Sequence, residues 1–387
     1  MNSDNKAISA SEFPVALFCL GLPLTLAAFA MDGTAAPTNL PDLLVTALAI
    51  LGLLSEPFRR KLNSTLPLWV KAGIPCIAIF WILTTYLLPN LKPLAMTVPY
   101  LMELKPVLYG IVAYLWLSIF SPPEPRHFYF WGSWLGMLVV CDFVYQFMNL
   151  GLVAAPTLFG STALTGPLLL ASLCATIHDI TRHKVERFII LMGIFCTMSW
   201  DASFAAVTIL LFFGPKGTPK KSALVLTLLL FNYISIAPQE SAFITPSDLP
   251  TYWLWFTFVE LFTKNMDLLL TGFPLSVPLP LSVPASLWST WNSLHYVWTD
   301  TGIYMFHVLP LWLHLIGAWG LGALAGTASI ATWLARRFSS DMMSSLLVAV
   351  AIAGFFFPIF YNPATGIVMI MAFMCAIRPE IQSFRFE

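Results

Sequence analysis

The chain has 387 residues, of which 58% are hydrophobic and only 10% are charged. A soluble domain carries roughly 25% charged residues, so this composition excludes an ordinary soluble protein and indicates one embedded in lipid. The formal net charge is zero and the six cysteines show no zinc or redox spacing, so nucleic-acid partners, a cysteine-bound metal and cofactors are not expected, while the need for another metal ion is left open by the sequence.

Apolar runs long enough to form membrane-spanning helices recur along the whole chain. A span needs about 20 mostly apolar residues. The sequence predicts spans at 13–31, 41–54, 67–88, 104–120, 128–150, 163–180, 222–237, 303–325, 342–358 and 363–378. No internal repeat or linker separates them, so residues 1–387 are predicted to form one all-α polytopic membrane bundle.

The run 188–213 is predicted to be a broken, re-entrant helix pair, which raises the total to about 12 segments. Basic stretches flank it on both sides, "RHKVER" at 182–187 and "KGTPKK" at 216–221, so both of its ends belong on one side. It provides about 39 Å of helix, enough for one crossing but not two. Its middle, "TMSWDASF", places Asp201 at a polar tip that needs a water-filled cavity.

Lysine and arginine set the orientation, because they collect in cytoplasmic loops. With the N-terminus in the cytoplasm, the inner segments contain every Lys and Arg except Lys71, Lys92, Lys105 and Lys264. Lys71 lies close to the inner side of its span. Both termini are therefore predicted to be cytoplasmic.

The largest outer segment, 238–302, is predicted to be a periplasmic loop that carries an interfacial helix. "SDLP" at 247–250 supplies a helix start. After it, polar residues recur three and four apart among aromatic ones, namely Thr257, Glu260, Lys264, Asp267 and Thr271. Such a helix lies at the membrane interface, where aromatic side chains are favourable.

The stretch "WNSLHYVWTDTG" closes this loop, and here the chain resembles the Wzy/WaaL superfamily of bacterial O-antigen polymerases and O-antigen ligases. In that family a His-Asn pair ends the loop, followed by an acidic residue and a glycine that opens the next span. Asn292, Asp300 and Gly302 match those places. "TMSWDASF" matches the family's Ser-Arg turn, and "GSTALTGP" at 160–167 matches a Gly-containing opening of a span. The resemblance implies a GT-C-like fold.

The chain departs from the family at its imidazole and cationic positions. Trp291 stands where the family has histidine, and the nearest imidazole is His295. Trp200 and Thr251 stand where the family has arginines. Because those outer arginines are thought to hold the lipid-linked diphosphate, Lys105, Lys264, helix N-termini or a metal ion would have to replace them.

The catalytic candidates are Asn292, His295, Asp300 and Asp201. His295 or Asp300 is expected to deprotonate the hydroxyl of an acceptor sugar. The alternative is an interfacial helix with ordinary polar residues, in which Asp300 caps the next span.

Substrate-binding candidates are Lys105, Lys264, Asp142, Glu240 and Trp291. For three of these residues the sequence also allows a role that involves no substrate. Lys105 can reach lipid headgroups, Lys264 can pair with Glu260 four residues earlier, and Asp142 with Gln146 and Asn149 can form a contact between helices. His307 and His314 are expected to pack apart from any acidic cluster.

By this resemblance, the chain transfers a glycan from a polyprenyl diphosphate carrier to a glycan or lipid acceptor on the outer face of the bacterial inner membrane. Membrane lipid and other polysaccharide-assembly proteins are its further expected partners. Loss of the outer arginines favours an alternative, a non-catalytic relative that acts as a scaffold for polysaccharide assembly. Broken helices and buried acids also suit a transporter of small molecules or lipids.

Overall fold

The computed structural model describes residues 10–55, 103–120, 123–150, 158–177, 182–225, 250–279, 304–305, 308 and 310–383, apart from residues 35, 38, 216, 218, 224 and 278. The described residues are mostly α-helical and contain no strand, which confirms the all-helical class. The predicted span 67–88 and nearly all of 222–237 lie outside these ranges. The number of spans therefore stays a prediction.

Three of the described helices are long and apolar enough to cross a membrane, namely α1 (Phe13–Met31) and the helices that begin at Pro125 and Leu311. In α1 the segment Leu17–Gly21 is π-helical. The remaining helices and their bounds are α2 (Leu40–Leu54), α3 (Lys105–Phe120), α4 (Pro125–Leu150), α5 (Thr162–Ile177), α6 (Lys184–Cys196), α7 (Trp200–Phe213), α8 (Pro250–Lys264), α9 (Met266–Thr271), α10 (Leu311–Arg337), α11 (Asp341–Ala353) and α12 (Pro363–Ser383). This composition is compatible with a membrane location.

The predicted helix pair in 188–213 is present as α6 and α7. The two helices are separated by Thr197–Ser199, where Met198 has a positive φ of 55°. The side chain of Ser199 accepts a hydrogen bond from the backbone N–H of Ala202 at 3.3 Å and so caps α7. The prediction of two short helices that meet at a polar turn is confirmed.

The predicted span 303–325 is wrong in both of its bounds. The described residues Tyr304 and Val308 are not α-helical, and α10 begins only after Pro310 and continues to Arg337. Proline is favoured at the start of a helix because N–H groups there have no partner within the helix, and proline has no N–H. The helix is also broken at Gly320, where φ is 70° and ψ is −173°.

Close contacts between small residues hold the bundle together around α5, in which every residue from Leu164 to Ile177 is buried. A Cβ atom on Gly132 of α4 would lie 2.2 Å from the side chain of Ser172 in α5. A Cβ atom on Gly193 of α6 would lie 2.6 Å from the Cα atom of Gly136 in α4. Small residues allow helix backbones to approach closely, which is how helices pack in membranes.

The starts of α2, α3, α10 and α12 meet at one end of the bundle, which we call the Asp42 end. Lys105 contacts Asp42 there, and Glu103 contacts both His314 and Tyr361. These residues come from regions far apart in the sequence, so the Asp42 end is built by the tertiary fold.

The starts of α1 and α4 and the end of α3 meet at the opposite end, which we call the basic end. Trp116 in α3 donates a hydrogen bond to the carbonyl of Ala10, and His127 in α4 lies 3.5 Å from Glu12. Described basic residues at the helix termini on this end are Arg126, Arg182, Lys184, Arg187, Arg336 and Arg337. Lys105 and Lys264 belong to the other end, as the basic-residue pattern predicts.

A second, smaller core is formed by α8, α9 and the first half of α10, and we call it the aromatic cap. Its buried residues are Leu254, Phe258, Phe262, Phe273, Leu275, Leu279, Met305, Val308, Leu313 and Ala318. Glu260 and Lys264 on the other face of α8 are exposed. The predicted amphipathic helix is therefore confirmed, although it ends at Lys264 and α9 follows as a separate turn.

Two glycines allow the cap's backbone segments to touch. A Cβ atom on Gly320 would lie 2.0 Å from the carbonyl oxygen of Leu270, and one on Gly272 would lie 2.5 Å from that of Ala318. Both glycines have positive φ, of 70° and 81°, a conformation that glycine adopts without steric cost. The break in α10 thus exists because α9 packs directly against it.

The cap is attached to the bundle mainly through backbone carbonyls in the last turn of α11 and directly after it. The indole of Trp255 donates to the carbonyl of Phe355 at 3.0 Å, and the indole of Trp312 donates to that of Ala351 at 2.8 Å. The backbone N–H groups of Leu311 and Trp312 donate to the carbonyls of Phe357 and Gly354. These bonds give the cap a fixed position on the Asp42 end.

We expect Gly320→Ala to lower the free energy of unfolding by more than about 1 kcal/mol, because alanine at positive φ is strained and its methyl group would overlap α9. Gly322→Ala is the matched control, since no atom lies within 4 Å of its Cβ position. Thermal unfolding of both variants in detergent tests this. Equal melting temperatures for the two variants would contradict the proposed backbone contact.

Candidate functional site

Five predicted site residues, Glu240, Trp291, Asn292, His295 and Asp300, lie outside the described residues. The structure therefore does not test whether 292–300 approaches the turn near 201. The other four, Asp142, Asp201, Lys105 and Lys264, are described, and their surroundings differ.

Asp201 occupies the first turn of α7, directly after the Thr197–Ser199 break. A carboxylate at this position is favoured by the partial positive charge of the helix N-terminus. Asp201 is half-buried, and within the described part of the chain its carboxylate has no hydrogen-bond or ion-pair partner.

The Asp201 turn belongs to the Asp42 end. The neighbouring Ala202 lies next to Gly166 of α5, whose Cβ position would be 3.3 Å from the Ala202 methyl group and 3.6 Å from the ring of Phe357. Phe357 in turn accepts the backbone hydrogen bond of Leu311 at the start of α10. The helix break and the cap are therefore neighbours around Phe357.

Lys105 is neutralised by Asp42. Its Nζ atom lies 3.0 Å from Asp42 Oδ2, and the phenol of Tyr109 donates to Asp42 Oδ1 at 3.0 Å. The side chains of Lys105 and Asp42 are only 19% and 12% exposed, so the pair is largely desolvated. A phosphate could gain Lys105 only in competition with this carboxylate.

Lys264 is also paired, as the helical spacing predicts. Its Nζ atom lies 2.6 Å from Oε1 of Glu260, and the two side chains are 67% and 52% exposed. An exposed pair of this kind contributes about 0.3–0.5 kcal/mol in a helix. The predicted pairing with Glu260 is confirmed.

Asp142 is buried and both of its oxygens accept hydrogen bonds. Gln146 donates to Oδ1 at 2.9 Å, and the backbone N–H of Leu158 donates to Oδ2 at 3.0 Å. Asn149, the third residue of this polar stripe, donates instead to the carbonyl of Tyr145. Asp142 thus fastens the residues before α5 to α4, which is a structural use of the carboxylate.

The expectation that His314 packs apart from acidic residues is wrong. Its Nε2 atom lies 2.8 Å from each carboxylate oxygen of Glu103, and the two side chains are 0% and 1% exposed. Buried ionisable groups in an apolar bundle are costly unless they pair. The separation of 211 residues explains why the sequence pattern gave no sign of this contact.

Tyr361 completes this group, which we call the Glu103 network. Its phenol donates to Glu103 Oε2 at 3.2 Å, and its ring lies 3.8 Å from the His314 ring. Burial, followed by the charge of Glu103, raises the pKa of Tyr361, so the phenol stays protonated and keeps donating. The carboxylate of Glu103 therefore has two partners on two separate elements.

Both ring nitrogens of His314 are engaged. Nδ1 faces the carbonyl of Val308 at 3.2 Å, while Nε2 faces Glu103. No nitrogen lone pair is left for a substrate proton, so in this arrangement His314 positions other groups and is not an accessible base. Among the described residues, Asp201 is instead the candidate for accepting a substrate proton.

The described residues offer no obvious metal site. No group of three or more His, Cys, Asp or Glu side chains lies close enough to hold a metal ion within the described ranges.

We expect Glu103→Leu to lower the free energy of unfolding by about 3–5 kcal/mol, because it leaves His314 buried without its acceptor. The same change at the exposed Glu260 should cost no more than about 1 kcal/mol. Thermal unfolding in detergent compares the two. The double variant Glu103→Leu/His314→Leu should recover part of the loss, since the buried imidazole is no longer left without its acceptor, while the Tyr361 phenol and the Val308 carbonyl still lose a partner. A double variant as unstable as the single one would contradict the assigned ion pair.

The resemblance to the Wzy/WaaL superfamily rests chiefly on Asn292, Asp300 and Gly302, which lie outside the described residues. The turn matched by "TMSWDASF" is present between α6 and α7. A comparison of the chain with protein-family models, curated proteins and solved structures finds no match. Membership of that superfamily therefore stays a prediction.

Proposed function

We propose that this protein transfers a glycan from a polyprenyl diphosphate carrier to a glycan or lipid acceptor on the outer face of the bacterial inner membrane. The observation that carries the proposal is Asp201, a half-buried carboxylate at a helix break that has no partner among the described residues. Carboxylates that need no structural partner are suited to proton transfer in a site of this kind.

The proposed membrane arrangement has about ten spans with both termini in the cytoplasm. Clustering of the described basic residues at one end of the bundle supports it. Helices α6 and α7 have 13 and 14 residues, each about 20 Å long, which is too short for a bilayer core of about 30 Å. A pair that enters and leaves on the basic side fits these lengths and puts Asp201 at depth.

The Asp42 end offers a place where a lipid-linked substrate can meet a sugar acceptor. The aromatic cap covers this end, and exposed residues on its surface, such as Val259, Met266 and Leu270, suit the membrane interface. The polyprenyl tail would lie between apolar helices, while the diphosphate and sugar reach the turn before α7. A membrane bundle is needed because the donor is itself a lipid.

In the proposed reaction a base removes the proton of the acceptor hydroxyl. The acceptor oxygen then bonds to the anomeric carbon, the bond from that carbon to the diphosphate oxygen breaks, and polyprenyl diphosphate leaves. The configuration of the anomeric carbon is inverted, and the proton remains on the base. Asp201 is the described candidate for this base, and Asn292, His295 and Asp300 remain candidates from the sequence.

A proton-coupled transporter is the second candidate, and the Glu103 network favours it. Chains of acidic, imidazole and hydroxyl groups inside membrane bundles are typical of proton relays in pumps and transporters. Both described lysines of the Asp42 end are also paired with carboxylates, which weakens the case for a diphosphate there.

We expect Asp201→Asn to reduce glycan transfer by about 10²–10⁴-fold, the usual contribution of a general base, without lowering the melting temperature. Asp341→Asn is the matched control: Asp341 also lies in a first turn after a Ser cap, but at the basic end. Transfer is measured in proteoliposomes with a synthetic undecaprenyl-diphosphate-linked oligosaccharide and mixed lipid and glycan acceptors. Unchanged transfer by Asp201→Asn would exclude Asp201 as the base.

The same proteoliposomes separate the two candidate functions. We expect no proton uptake driven by a membrane potential in the unaltered protein if glycan transfer is its function. Proton uptake that disappears in Glu103→Gln, together with an absence of transfer, would favour the transporter. A pH-sensitive dye trapped in the vesicles gives the measurement.

A further inference from the structure

The second half of α10, after the break at Gly320, projects from the bundle with much of its surface exposed. Ile330 and Trp333 are each 59% exposed, and the Cβ positions of Gly322 and Gly326 have no atom within 4 Å. In a membrane protein such an apolar surface faces lipid chains.

An open cleft of about 590 Å³ lies at the basic end of this helix. Its described lining residues all belong to α10 and are Ala328, Ser329, Thr332, Trp333, Arg336 and Arg337. The two guanidinium groups lie in the last turn of α10; Arg336 has no ion-pair partner within the described residues, whereas Arg337 already makes an interaction. The positive charge that the cleft offers to an anionic group is therefore chiefly that of Arg336.

The hydroxyl groups in the cleft add little donor capacity. Ser329 and Thr332 donate to carbonyls one turn earlier in α10, at 2.8 Å and 2.7 Å. The guanidinium groups are thus the main donors, and they match phosphate oxygens in geometry and charge.

The face that leads into the cleft is shaped for an acyl chain. Gly322, Gly326, Ser329, Trp333 and Arg336 follow one another at helical spacing, so they lie on one face of α10. The glycines leave a shallow groove, Trp333 marks the headgroup level as interfacial tryptophans do, and Arg336 follows. Along the helix, the groove, the Trp333 ring and the Arg336 cation therefore follow the same order as the acyl chain, the interface and the phosphate of a phospholipid.

We propose that this cleft binds one anionic phospholipid, with its phosphate at Arg336, next to the already engaged Arg337, and an acyl chain along the Gly322–Gly326 groove. A free phosphate would use only the arginines, and a zwitterionic lipid would gain less from them. The proposal depends on the location in a membrane and is independent of the glycan-transfer function.

Native mass spectrometry of the full-length protein tests this site with phosphatidylglycerol, with phosphatidylcholine and with inorganic phosphate as separate additions. We expect Arg336→Gln/Arg337→Gln to weaken phosphatidylglycerol retention about 25-fold, since each basic group near an anionic lipid surface is worth about fivefold. Lys220→Gln/Lys221→Gln is the matched control, an exposed basic pair after α7 that loses the same charge. It should retain phosphatidylglycerol as the unaltered protein does.

Gly326→Leu keeps both arginines and fills the groove, so it should also weaken phosphatidylglycerol retention. If the double Gln variant fails to fold, Arg336→Lys/Arg337→Lys provides the comparison, with a smaller loss because lysine lacks the bidentate geometry. Equal losses in the two Gln pairs would overturn the site in favour of general surface charge. Displacement of the lipid by inorganic phosphate, or no effect of Gly326→Leu, would overturn the assignment to a lipid.

Discussion

The contact between Glu103 and His314 is the constraint on which the Asp42 end depends. Two ionisable side chains without solvent access are tolerable only if they meet each other. Glu103 lies at the start of α3 in the bundle, and His314 lies in the half of α10 that carries the aromatic cap. Satisfying this pair therefore fixes where the cap sits. Tyr361 adds the connection before α12 to the same carboxylate.

Breaks in helices create the features that distinguish this bundle from a simple array of spans. The turn at Thr197–Ser199 exposes an N-terminus in the interior, and Asp201 occupies its first turn. The break at Gly320 separates a buried half of α10 from an exposed half. In the first case an acidic group is held, half-buried, at the Asp42 end of the bundle. In the second, one helix contributes one half to the cap and leaves its other half exposed.

Structural features that depend on residues close together in the sequence were predicted correctly, because their physical causes are local. The pair Glu260–Lys264 follows from a spacing of four within one helix, and the α6–α7 break follows from polar residues in an apolar run between two basic stretches. The bounds of α10 and the position of its break could not be predicted from the local sequence. "GAWGLGALAG" contains several glycines, and only contact with α9 selects Gly320 for the break.

Long-range pairs escaped prediction for a different reason. Lys105 stood out as an outer cation, but its partner Asp42 is 63 residues away. His314 was expected to pack apart from any acidic cluster, although an ionisable group in an apolar run calls for a partner. Nothing in the sequence indicates that the partner is Glu103, since that depends on how α3 and α10 pack. The sequence could thus assign Lys105 to one end of the bundle but could not name its partner, and the candidates at 291–300 lie outside the described residues.

The attachments of the cap also determine when it can be completed during synthesis. The carbonyl that accepts the hydrogen bond of Trp255 lies 100 residues further along the chain, and Tyr361, which donates to Glu103, lies 258 residues after it. A ribosome delivers the cap long before it delivers these anchors. A nascent chain that stops before α11 would leave the cap without its carbonyl acceptors and Glu103 without the Tyr361 donor, so this end of the protein can be completed only when the last helices have been made.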